Sequence, residues 1–257
     1  MKKLFISIMI ALIVYPVYAE KKEYQSPMSL YNDNYFITGD KDDEQVKFQF
    51  SAKYNLLYPF NTGIYFGYTQ RSWWKIYDKS SPFVETNYMP EIFLRFESGN
   101  NIVNDVKIPL VDYVQISPIF HKSNGQQGDD SRSINTYYGQ IQMSYGEVVN
   151  VGFNAKYYKY YNVSRKNKDI NDYNRNYEAT VFLKLRSKNV LYFDKEELRV
   201  TFAGDPRDKG YYQIEGAFRI LTSYIQPRIF FQYRNGYDEW LVNYNKKEEV
   251  CRLGFVF

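Results

Sequence analysis

From about residue 44 to the last residue, apolar and polar side chains alternate in runs. Val46, Phe48, Phe50, Ala52 and Tyr54 are interleaved with Lys47, Gln49, Ser51 and Lys53. Tyr137, Gly139, Ile141, Met143 and Tyr145 alternate with Thr136, Tyr138, Gln140, Gln142 and Ser144, and the chain ends on Cys251, Leu253, Phe255 and Phe257 against Arg252 and Gly254. A period of two predicts strands with one apolar and one wet face. Twelve are expected, over 31–38, 44–57, 62–76, 87–97, 105–122, 134–146, 147–162, 174–187, 196–204, 210–220, 225–241 and 249–257. Such strands fit a soluble sandwich or a barrel in lipid. Many exceed the about 5–6 residues usual in soluble sheets and reach the roughly 9–11 that tilted membrane strands need. Aromatic pairs at strand ends (Trp73 and Trp74, Tyr157 and Tyr158, Tyr160 and Tyr161) suit interfacial girdles, and an even strand number suits a closed antiparallel barrel. The expected fold is all-β, a twelve-stranded antiparallel transmembrane β-barrel.

The first nineteen residues break the pattern. Lys2 and Lys3 precede an apolar run from Leu4 to Val17, and Val17-Tyr18-Ala19 puts small residues at −3 and −1. These features predict a secretory signal peptide over 1–19, cut after Ala19, leaving one barrel domain over 20–257. No Cys stands at the cut, so no lipid anchor is expected there. No later run of 18 apolar residues predicts a spanning helix. Composition narrows the chemistry. Aromatic residues make up 19% of the chain, with 28 Tyr and 19 Phe, which suits strands. Net charge is +4, falling to +2 without Lys2 and Lys3, too balanced for a nucleic-acid partner. One Cys, Cys251, and one His exclude an internal disulfide and multi-histidine or cysteine metal clusters.

The single histidine lies in Ile119-Phe120-His121-Lys122-Ser123-Asn124-Gly125, at the expected end of a strand. His121 and Ser123 are two residues apart, so they share a face. By strict alternation Gln115 and Ser117 share it too. A serine hydroxyl becomes a useful nucleophile when an imidazole takes its proton, and that imidazole needs a third group to fix its tautomer. Asn135, at the start of the next expected strand, can supply an oxygen from across the hairpin. A His-X-Ser spacing alone also fits an incidental surface histidine, and Asn124-Gly125 is also a turn signal.

Longer stretches decide between these. His121-Lys122-Ser123-Asn124-Gly125 followed by Ser131-Arg132-Ser133-Ile134-Asn135 closely resembles the active-site signature of the outer membrane phospholipase A family. Tyr68-Thr69-Gln70-Arg71-Ser72-Trp73-Trp74 and Ser80-Ser81-Pro82-Phe83-Val84-Glu85-Thr86-Asn87-Tyr88-Met89-Pro90-Glu91 match as well, and residues 236–245 fit a looser family pattern. The matches run in order from about residue 27 to the C-terminus.

The resemblance implies a bacterial outer-membrane barrel with its catalytic residues on the outer wall, at the outer leaflet. It implies phospholipase A1/A2 activity, that is, hydrolysis of acyl esters of phospholipids and lysophospholipids. By resemblance Ser123 is the nucleophile, His121 the general base and Asn135 its orienting partner, with an oxyanion hole at the Gly125 N–H. It further implies Ca2+ as cofactor, held by the Gln126 carbonyl, the Ser131 hydroxyl and Ser80 of a second subunit, and a homodimer as the active form with Gln70 at its interface. This chain departs from the pattern at Gln126, where Arg is common, and at Ile134, where Trp is frequent. Lys166 falls where a further calcium ligand would stand and cannot ligate a cation. Asp129 and Asp130 read as solvated turn residues. The competing reading is a passive barrel or small pore, which inward Lys47, Lys53 and Arg252 would largely plug. An adhesin would need longer outer loops.

Overall fold

The computed structural model describes residues 26–41, 44–57, 63–98, 108–174, 176–185, 196–205, 207–219 and 227–257. The expected signal peptide lies outside them. Thirteen strands form among the described residues. They are β1 (Met28–Leu30), β2 (Tyr35–Lys41), β3 (Glu44–Asn55), β4 (Ile64–Trp74), β5 (Phe83–Glu97), β6 (Val111–Ser123), β7 (Ser133–Tyr145), β8 (Val149–Val163), β9 (Tyr177–Leu185), β10 (Glu196–Ala203), β11 (Tyr211–Phe218), β12 (Arg228–Gly236) and β13 (Glu248–Val256). From β2 to β13 each strand pairs antiparallel with the next, and β13 pairs with β2, so twelve strands close into a barrel. Closure leaves no strand edge to satisfy in lipid. One short helix, α1 (Ile170–Asn174), lies in the β8–β9 connection.

The first expected strand, 31–38, forms only from Tyr35 onward, and a short strand not expected from the sequence, β1, precedes it. β1 pairs with the far end of β3, and residues 31–34 leave the wall. Asn32, Asp33 and Asn34 are poor strand formers, and their polar groups find partners inside. Asn32 Nδ2 donates to Thr69 Oγ1 at 3.1 Å, Asn34 Oδ1 accepts from the Ser51 N–H at 2.5 Å, and Asp33 pairs with Arg199 at 2.5 Å. The strand expected over 225–241 stops at Gly236, whose φ of +138° turns the chain into the loop 237–247.

The two faces of the wall differ sharply. Phe50, Phe66, Val151, Phe153, Val181, Leu253 and Phe255 stand exposed on the outside. Inside, buried polar groups pair with one another. Tyr138 donates to Glu91 at 2.5 Å and Gln115 to Tyr138 at 2.5 Å, while Glu239 pairs with Lys47 at 2.6 Å, Arg234 at 2.5 Å and Arg252 at 3.3 Å. An apolar outer belt over a polar lumen is the solution lipid imposes on a barrel. The aromatic pairs divide between the faces. Trp73, Tyr158 and Tyr160 point inward, leaving Trp74, Tyr157 and Tyr161 for the outer wall.

Candidate active site

β6 carries one residue more than both of its neighbours. Against β7 the register runs Ser117↔Tyr138 and then Phe120↔Thr136; against β5 it runs Ile116↔Leu94 and then Ile119↔Ile92. The extra residue is a β-bulge at Pro118–Ile119, where a residue without an N–H is tolerated. The Ser117 hydroxyl donates to the Ile92 carbonyl there, at 3.1 Å. The bulge resets the alternation. Gln115 and Ser117 are fully buried in the lumen, whereas His121 and Ser123 face outward with Ile116 and Ile119. Strict alternation therefore groups the wrong residues, and the face bearing His121 and Ser123 is apolar below them.

The outer face of this hairpin assembles the candidates. His121 is directly opposite Asn135 in the β6–β7 register, and its Nδ1 lies 2.9 Å from Asn135 Oδ1. Asn135 Nδ2 donates to the Asn162 carbonyl at 3.4 Å, which turns the amide oxygen toward the ring. The bond assigns the proton to Nδ1, leaving the Nε2 lone pair free to accept one. Ser123, on the same face, pairs with Ser133 on one side and Tyr88 on the other.

The loop after Ser123 is organised by Asn124, which is buried. Its Nδ2 donates to the Asp130 carbonyl at 2.7 Å, and its Oδ1 accepts from the Arg132 N–H at 3.0 Å and the Gln126 N–H at 3.3 Å. Gly125 has φ of +65°, and a Cβ there would lie 2.9 Å from the Tyr88 ring. No acceptor among the described residues takes its N–H. Lys166, reaching from the β8–β9 connection, bonds the Gly128 carbonyl and, at 2.7 Å, the Asp129 carboxylate. That hydrogen bond, with the ammonium charge, holds the Asp129 carboxyl below its ordinary range.

The expected calcium ligands are only partly together. Gln126 and Ser131 share the 124–132 loop, while Ser80 lies on the 75–82 turn with φ of +66°. Within the described residues, the Gln126 carbonyl and the Ser80 and Ser131 hydroxyls accept no hydrogen bond. These are hard oxygen donors without partners, so the donor set fits a calcium ion. Gln70 points outward as expected, but it is not bare. Tyr68 donates to its Oε1 at 3.0 Å, and its Nε2 donates to Ser72 Oγ at 3.3 Å. It opposes Tyr88, which opposes Ser123, so one polar band crosses β4, β5 and β6.

A family model described as phospholipase A1 matches residues 5–257. The chain belongs to the phospholipase A1 family. A relative from Neisseria meningitidis is 29% identical over 85% of this chain and 56% of its own length, so the chain spans little more than half of that protein. The phospholipases A1 of Proteus vulgaris and Escherichia coli K12 are 26% and 27% identical, over 86% and 91% of this chain and 72% and 83% of theirs. Among solved structures, the outer membrane phospholipase A of E. coli aligns with a TM-score of 0.70 at 22% identity, over 90% of this chain and 94% of that one. A Salmonella typhi outer membrane phospholipase dimer with bound calcium aligns equally well, over 93% and 94%. These likenesses agree with the twelve-stranded closure, and this phospholipase A1 family member is an outer-membrane β-barrel.

Residue patterns and the family resemblance pointed to His121, Ser123, Asn135 and Gly125 as candidates but not to their supports. Asn124 read only as a turn residue, and Lys122, between the two candidates, carried no signal. Its ammonium faces Asp238 across the lumen at 3.7 Å. Only the alternation hinted that it points inward.

Proposed function

We propose that this protein is a calcium-dependent serine esterase that hydrolyses acyl esters of phospholipids and lysophospholipids at the outer leaflet, at both sn positions. The carrying observation is the 2.9 Å contact of His121 Nδ1 with Asn135 Oδ1 on the lipid-facing wall, on the face that also bears Ser123. Family membership and the relatives' names support phospholipid as substrate.

In this reading His121 Nε2 takes the Ser123 proton as Oγ attacks the ester carbonyl carbon. Asn135 holds the ring in the tautomer that leaves Nε2 free, and it offers less to the imidazolium than a carboxylate would. The Gly125 N–H donates to the oxygen on which negative charge develops. The imidazolium returns its proton to the departing glycerol oxygen. His121 then deprotonates a water that attacks the acyl-serine, releasing fatty acid and restoring the hydroxyl. Calcium, when bound, supplies positive charge against the developing oxyanion. The Gln126 carbonyl, the Ser131 hydroxyl and Ser80 of a second copy would hold it, so activity requires the homodimer. The neighbour described as a calcium-bound dimer supports both requirements. Gln70, in the polar band beside Ser123, would exchange its partners within the chain for ones on the second copy.

The test is acyl release from detergent-dispersed phospholipid by refolded protein, with calcium, with EDTA and in Ser123→Ala. Activity lost in the chelated and mutant samples supports the reading. Equal lipid turnover in Ser123→Ala and wild type refutes it.

A further inference from the structure

A strand in a barrel wall is one chain thick, so each outward side chain is backed by an inward neighbour. Behind His121 and Ser123 stands Lys122, and behind Asn135 stands Ile134. Both are buried, and both meet the 237–247 loop, which folds back into the barrel mouth. Lys122 Nζ faces Asp238 Oδ1 at 3.7 Å, with side chains 11% and 10% exposed. Ile134 packs with Leu241, Tyr244 and Ile170 of α1.

The loop itself is firmly anchored. The Leu241 and Val242 N–H groups donate to the Glu85 carboxylate at 2.6 and 2.9 Å, and the Asp238 N–H donates to the Tyr244 carbonyl at 2.9 Å. Glu239, next to Asp238, binds Lys47, Arg234 and Arg252 and accepts from the Trp73 indole at 3.3 Å. Asp238 adopts φ of +57°, an uncommon conformation for a residue with a Cβ. The loop thus grips the inner side of β6 and β7 at the residues between the candidate catalytic groups.

We propose that Asp238 and Lys122 are positioning residues, which pin β6 from inside and hold His121 and Ser123 at the spacing proton transfer needs. This rests on the esterase reading above. A displacement of about 1 Å far from the reacting atoms can cost as much as ~10²-fold in rate, and Lys122 is the residue that lies between His121 and Ser123 on β6.

The experiment compares wild type, Ser123→Ala, Lys122→Met, Asp238→Asn and the double variant Lys122→Met/Asp238→Asn, each judged folded by heat-modifiable mobility. Asn keeps the tolerance for positive φ, and the double variant removes both members of the ion pair together, so it is decisive if a single one misfolds. The readouts are kcat and KM on detergent-dispersed phospholipid, and the rate at which a sulfonyl fluoride labels Ser123. The expected result is an about ten-fold fall in kcat and labelling rate, KM unchanged, and no further fall in the double variant. Lys122→Arg, which keeps the charge facing Asp238, should recover at least about half of the rate. A folded double variant with wild-type kcat and labelling overturns the proposal, as does a loss confined to KM. Equal activity in wild type and Ser123→Ala instead defeats the esterase reading, and the positioning role with it.

Discussion

Gly125→Ala separates the cost to the fold from the cost to the chemistry. At φ of +65° a residue with a Cβ pays about 1–2 kcal/mol. The new Cβ would also stand 2.9 Å from Tyr88 Cε2, but that atom is the far end of a ring 38% exposed, which can swing aside cheaply. Stability should therefore fall by only about 1–2 kcal/mol, measured by urea unfolding. To escape the strain the 124–125 peptide rotates, carrying the Gly125 N–H away from the developing oxyanion. Loss of one such donor costs about 10²–10³ in kcat. The rate effect should exceed the stability effect, with KM little changed. Adding Tyr88→Ala removes the contact but not the backbone strain, so it should not restore kcat. A folded Gly125→Ala protein with kcat within about two-fold of wild type would refute the oxyanion assignment, and rescue by Tyr88→Ala would shift the cause to the ring.

Asn135→Ala should leave the barrel's stability unchanged, because the side chain lies on the outer wall, yet lower kcat about 10²-fold by freeing the imidazole tautomer; steady-state kinetics beside a melting curve checks this. Glu239→Ala would remove the carboxylate that Lys47, Arg234 and Arg252 share and should cost about 3–5 kcal/mol in urea unfolding. The packed lumen predicts no conductance steps in a planar bilayer, and steady single-channel openings would favour the pore. For Asp129, whose carboxyl is depressed by Lys166, the contribution of the pair is present above the ordinary carboxylate pKa, about 3.9, and is lost as pH falls through the lower folded value. A carboxyl NMR titration should move back to the ordinary range in Lys166→Met. An unchanged titration would show that the pair does not form in solution.

Much of the barrel was legible because lipid on one side and packed polar groups on the other leave period two as the surviving pattern. The misses share one cause, that non-local contacts outrank local alternation. Residues 31–34 look like the start of a strand, but their side chains are satisfied by Ser51, Thr69 and Arg199 in the lumen. The bulge at Pro118–Ile119 is invisible without the neighbours' registers, and one residue sufficed to regroup Gln115 and Ser117. His121 and Asn135 were within reach because a hairpin brings them together. Lys122 and Asp238 were not, since 116 positions separate them and only barrel closure makes them meet.

The bulge also makes the face on which the proposed catalytic groups stand a matter of counting. Deleting Pro118 or Ile119 would retain His121, Ser123 and their spacing, yet turn both into the lumen and push the Lys122 ammonium toward hydrocarbon. No substitution could do the same. A barrel wall of this kind can thus gain or lose lipid-facing chemistry by a single three-nucleotide insertion or deletion, without altering any of the groups that perform it.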